Sequence, residues 1–264
     1  MNVRFALPAV GFLLGVCATL AQAPAGEDFT QNPDSFLVPP PEAVCNALAK
    51  VPNIDFAKLA AQGAAPSDPQ KIKSLSATVK AVHLGVRAAD AYVAVQAKDL
   101  AAFRRASDSI QVLSLEFALN DTMFRKITTA NKMAEGARWN DLRVVLETFR
   151  GDVLRELKLN RNQDAVTLAT LGGWLRGLQL STMALNISYQ ADASRLLRQP
   201  ALVAHLRRRV NALGPDSKDE RFVELLGERM DEIRKLTEGQ PSAPLKPEEV
   251  KRLNVIANEL MVAL

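Results

Sequence analysis

Cysteine is almost missing from this chain: Cys17 and Cys45 are the only two in 264 residues. Cys17 lies inside an apolar N-terminal run, so its removal with that run would leave Cys45 as a lone thiol and exclude an internal disulfide. Stability must then come from a packed core. Histidine is equally scarce, with His83 and His205 alone, too few to suggest histidine-based metal or general-base chemistry. Aromatic residues make up 5% of the chain, which argues against a platform for stacking sugars or bases. No Walker loop, dinucleotide fingerprint, paired-cysteine metal site or haem-attachment motif is present, and no stretch alternates as a strand would. We therefore expect no cofactor, no metal and no nameable catalytic residue. Charge of one sign is not in excess either. The formal net charge of +4 falls to +3 once residues 1–23 are set aside, because Arg4 is the one charge they carry. That is too mild to announce a polyanion, and nucleic acid is not an expected partner.

What is abundant is apolar surface, at 48% of residues, enough for a sizeable core. The first of it reads as a secretory signal over residues 1–23. Arg4 precedes an apolar run over 5–20, and small residues at Ala21, Ala23 and Ala25 offer cleavage sites. A signal-anchor helix is the alternative, weakened by Pro8. Lipidation at Cys17 is disfavoured by the bulky Val16 before it. Residues 24–41 are polar and end in three prolines, as an extended tether would. The expected location is periplasmic or secreted.

A helical domain is expected over 42–238, then a proline-containing linker over 239–247 and a terminal helix over 248–264. Short helices are expected at 42–50 and 54–62, a long one over 70–97, and others over 99–119, 121–133 and 141–159, with Asp99, Asn120 and Asn140 as caps. Residues 160–163 read as a polar link. Further helices follow over 167–189, 192–198, 200–213 and 217–238. The fold class is all-α: a bundle of about eight to ten helices, with no membrane-spanning helix in the mature chain.

Two helices stand out. Over 167–189 the chain is apolar on nearly every side, and Ala169, Gly173, Gly177 and Ser181 form a ridge of small residues at steps of four. Each interior glycine costs about 1 kcal/mol of helix stability, so Gly172, Gly173 and Gly177 call for a compensating close contact. Residues 81–97 repeat the device with Ala81, Gly85, Ala89, Val93 and Ala97, and the two ridges are expected to meet. Asp90 interrupts the apolar face of that earlier helix. If buried it needs a partner, and Arg176 is the cation we name; the alternative is that Asp90 is solvated at the edge of its stripe.

Arg195, Arg198, Arg207, Arg208 and Arg209 crowd into a short span. They form a candidate anion patch for a lipid headgroup or acidic polysaccharide, set against the simpler reading of a solvated helix face. Cys45 reads as a small buried hydrophobe rather than a nucleophile.

At Leu84, Gly85, Val86, Ala89 and Asp90, and again at Leu171, Gly172, Gly173, Trp174, Gly177 and Leu178, the chain resembles a family of uncharacterised bacterial secreted or lipid-anchored helical proteins. Their blocks read Leu-Gly-Val-x-x-Ala-Asp and Gly-Gly-Trp-x-x-Gly-Leu. This chain departs from them at Arg87, where they carry tyrosine, and at Arg176, where they carry an acid. The resemblance implies an exported all-helical protein and no particular activity. The leading expectation is an exported scaffold or binding protein of the bacterial cell envelope, with an envelope protein, anionic lipid or polysaccharide as partner. The alternative is a carboxylate-dependent hydrolase with a cleft near Asp90 and Arg176. A dry apolar groove would favour the binder, and converging acids the enzyme.

Overall fold

Helix follows helix through the computed structural model, which describes residues 41–51, 53–61, 69–218, 221–240 and 242–264. The signal segment and nearly all of the tether lie outside them. The elements are α1 (Pro41–Leu48), α2 (Phe56–Ala61), α3 (Pro69–Ser74), α4 (Ala77–Ala97), α5 (Leu100–Glu116), α6 (Asp121–Glu135), α7 (Trp139–Leu159), α8 (Gln163–Ile187), α9 (Ala191–Ser194), α10 (Pro200–Asn211), α11 (Pro215–Lys218), α12 (Arg221–Thr237) and α13 (Pro247–Val262), with a 3-10 turn at Arg195–Leu197. Eight of these are long, no strand occurs among the described residues, and the architecture is an all-α multi-helix bundle.

Several boundaries differ from expectation for local reasons. The helix expected over 70–97 divides at Ser76, whose extended backbone ends α3 while its hydroxyl accepts from Val79 N–H at 3.2 Å to start α4. The expected cap Asn140 lies inside α7, which begins after Arg138 with no side-chain cap. The polar link over 160–163 is shorter than it looked, because the Asn162 side chain accepts from Ala165 N–H at 3.0 Å and starts α8.

Four successive helices close the same way. After α4, α5, α6 and α7 the chain turns through Lys98, Ala118, Ala137 and Arg161, each in the left-handed region at φ of 52, 51, 51 and 57°. In each case the next N–H bonds back five residues, as in Asp99 to Ala94 at 2.9 Å and Leu119 to Ser114 at 3.0 Å. Asp99 and Asn162 then cap the following helix. One short corner therefore both ends a helix and begins its neighbour.

The most extensive pairing is α4 with α8, as the ridges led us to expect. A Cβ on Gly85 would stand 1.8 Å from the Ala169 carbonyl oxygen and 2.7 Å from the Gly173 nitrogen; one on Gly172 would stand 2.0 Å from the Val82 carbonyl oxygen. The two backbones touch. Gly177 departs from the expected ridge: its missing Cβ faces Val44 of α1, 3.3 Å away. Four residues turn a helix by 400°, so a ridge at steps of four drifts about 40° per step and Gly177 has rotated off the α4 contact.

Around this pair, α5 and α7 pack on α4, α6 joins α5 to α7, α1 and α2 cover the start, and α13 lies along α8 and against α12. The connection before α13 is pinned. Leu245 is fully buried, and its carbonyl accepts from Tyr189 Oη at 2.6 Å. Arg198 donates to the carbonyls of Ala243 at 2.9 Å and Pro244 at 3.3 Å. Among the described residues no helix is long and apolar enough to cross a membrane.

Candidate functional site

Two places on the central pair qualify for scrutiny: the charges at Asp90 and Arg176, and the surface beside Gly173 and Trp174. At the first, Arg176 Nε donates to Asp90 Oδ1 at 2.7 Å, and the arginine is 1% exposed. The other carboxylate oxygen is also taken, by Arg87 Nη1 at 3.3 Å. Two arginines therefore share one carboxylate. Burial lowers the Arg87 pKa, and the nearby Asp90 charge works against that shift.

From Arg176 the polar chain continues. Its Nη1 donates to Gln179 Oε1; Gln179 Nε2 reaches Asn258 Oδ1 at 2.7 Å; Asn258 Nδ2 reaches Asn254 Oδ1 at 3.1 Å. Asn254 Nδ2 ends it on Thr182 Oγ1 at 3.0 Å. This seam runs between α8 and α13, and it was not foreseen. Gln179, Asn254 and Asn258 look in sequence like solvent-facing polar residues, since nothing local tells which way an amide points. Arg87 carried a usable signal, because it sits three residues before Asp90 on an apolar helix. Beside the cluster His83 Nε2 lies 3.3 Å from the main-chain oxygen of Leu264. Burial holds its pKa below 6.5; the Leu264 contact opposes that, Arg87 adds to it and Asp90 opposes it.

Chemically, this cluster is a clamp. Its carboxylate has both oxygens engaged by guanidinium groups, and among the described residues no group of three or more histidine, cysteine, aspartate or glutamate side chains is placed to hold a metal ion.

The second place is a shallow, partly open recess bounded by α4, α5, α7 and α8. Gly85, Ala88, Ala169 and Gly173 make a floor almost without side chains, while Leu84, Phe149, Val153, Leu154 and Trp174 supply apolar walls. Arg150 is the one charged residue that lines it. The small residues that let two backbones touch thus also leave an unfilled slot alongside them.

The candidate anion patch is not assembled, which corrects that expectation. Arg198 is 8% exposed in its side chain and turned toward main-chain carbonyls, so it cannot face a headgroup. Arg209 reaches inward to Thr167 Oγ1 at 2.9 Å, Arg207 pairs with Asp231 at 3.3 Å across the face of Gly227, and Arg195 pairs with Asp192 at 3.2 Å. Arg208 is exposed. A helix spreads three consecutive residues around its circumference, so adjacency in sequence did not place them on one face. Cys45 is buried at 2% exposure.

Comparison with family models, with curated proteins and with solved structures finds no match.

Proposed function

We propose that this protein is an exported helical binding protein of the bacterial cell envelope that holds an apolar group in the recess beside Gly173 and Trp174. The observation that carries the reading is that recess: a mostly apolar slot floored by small residues and open to solvent. The apolar run behind Arg4 and its small-residue end support export, and the resemblance to secreted helical proteins points the same way. The carboxylate-enzyme alternative has less behind it, since both carboxylate oxygens of Asp90 are already engaged by arginines.

The test is fractionation of the native bacterium followed by capture from envelope extract, using the full chain and an Ala88→Trp variant that fills the slot. Recovery from the envelope fraction, with a ligand retained by the wild type and lost from the variant, is expected. A cytosolic product, or a captured component indifferent to Ala88→Trp, would overturn the reading.

A further inference from the structure

Gly151 meets no need of the fold. It lies in the middle of α7, is exposed, and a Cβ built on it would meet nothing within 4 Å, whereas one on Gly85 or Gly172 would strike a backbone carbonyl. An interior glycine costs a helix about 1 kcal/mol against alanine, and here no contact within the chain offsets it. On an outer face, a glycine leaves a gap that suits the close approach of a second helix.

The residues around it form a face without a partner. At about 100° per residue, Val144, Glu147, Arg155 and Lys158 lie within about 40° of Gly151. All four are exposed, Val144 at 61%. Glu147 makes no ion pair among the described residues. Arg155 is 68% exposed in its side chain and meets Asp152, an acid that Lys126 also holds. Both charges are therefore open to an outside partner.

Their order along the helix selects that partner. When two copies of one helix cross antiparallel about a two-fold axis at Gly151, each residue before it lies against the residue equally far after it on the other copy. Glu147 stands four positions before and Arg155 four after, so the glutamate of each copy meets the arginine of the other. Val144 and Lys158, seven positions to either side, bring an apolar side chain onto the methylene stem of a lysine. No two like charges of this face meet. A parallel crossing would instead set glutamate on glutamate and arginine on arginine, which disfavours it.

We propose that the outer face of α7 is a homodimer interface, in which two copies of the chain pack α7 antiparallel across Gly151 with reciprocal Glu147–Arg155 ion pairs. The inference stands apart from the recess beside Trp174 and from export. One helix pair buries less than the ~1,600 Å² of a standard interface, so the dimer is a reversible one, dissociating at about 10–100 µM.

Sedimentation equilibrium of the full chain from about 1 to about 300 µM tests this, and the wild type should pass from monomer to dimer over that range. Gly151→Leu should abolish the dimer while raising the melting temperature by about 2 °C or more, because it fills open space with a better helix former. Lost association is thereby separated from lost folding. Glu147→Arg and Arg155→Glu should each weaken the dimer about tenfold or more, and an equimolar mixture of the two should regain wild-type affinity as a heterodimer, since every facing pair is again of unlike sign. A wild type that stays monomeric, a dimer indifferent to Gly151→Leu, or a mixture no tighter than either variant alone would overturn the proposal. So would a monomeric wild type whose captured envelope protein is lost on Gly151→Leu, which would give the face to a different partner.

Discussion

The two faces of α8 hold their neighbours by opposite means. Toward α4 it offers missing side chains: Gly172 admits the Val82 carbonyl, and Ala169 and Gly173 admit Gly85. Toward α13 it offers Gln179 and Thr182, which meet Asn258 and Asn254 through hydrogen bonds of 2.7 and 3.0 Å. The first contact is a matter of volume and tolerates no added atom; the second is a matter of polarity and tolerates no missing partner. Arg176 sits between the two systems, bound to Asp90 of α4 and to Gln179 of its own helix. The difference teaches that one helix can be apolar around most of its circumference and still have two unlike specificities, because close approach and hydrogen bonding answer to different substitutions.

The largest break should come from Gly85→Ala or Gly172→Ala. One methyl group would meet backbone at 1.8 or 2.0 Å, so α4 and α8 must separate along their length. We expect a loss of about 3 kcal/mol or more, read from urea unfolding; a loss under about 1 kcal/mol would mean the backbones are not in contact.

Next is Arg176→Leu, which leaves Asp90 paired with Arg87 alone in a site where the carboxylate is 11% exposed. The expected cost is about 3–5 kcal/mol, with part recovered in the Arg176→Leu, Asp90→Leu double variant. Strict additivity in that cycle would contradict a direct pair.

Thr182→Val and Asn254→Ala should each cost about 1–2 kcal/mol. They should also raise amide exchange in α13 while leaving α4 protected. Exchange rising equally in both helices would erase the distinction between the faces.

The smallest effect concerns pH. His83 is a base whose folded pKa lies below 6.5, chiefly through burial, with Leu264 and Asp90 opposing and Arg87 assisting. The unfolded chain therefore binds more protons below pH 6.5, and stability falls as pH drops from 6.5 toward the folded pKa. His83→Gln should flatten that part of the melting-temperature profile, and an unaltered slope would assign it to other groups.

Much of this was readable before any coordinate. Asp99 and Asn120 announced their helices because a capping side chain acts on N–H groups two or three residues away, within the reach of local sequence. Asp90 and Arg176 could be paired on paper because each was a charge on an otherwise apolar helix, and buried charges need partners. The drift of Gly177 was predictable from 3.6 residues per turn, though a ridge written at steps of four conceals it. Other features had no local signature. The amides of Asn254 and Asn258 look alike whether they face water or α8. The slot beside Trp174 exists because of atoms that are not there, and which gaps stay open depends on every neighbour at once.

The close contact between α4 and α8 also constrains how the chain reaches this structure. Asp90 and Arg176 are 86 positions apart, whereas the left-handed corners after α4 to α7 build their contacts from near neighbours. Loop closure over that span must be met before the glycines meet, so the helices between should order early and the α4–α8 contact late. Stopped-flow refolding would then separate near from distant contacts by rate: Asp99→Ala, at a corner, should act mainly on folding, and Gly85→Ala, at the late α4–α8 contact, mainly on unfolding.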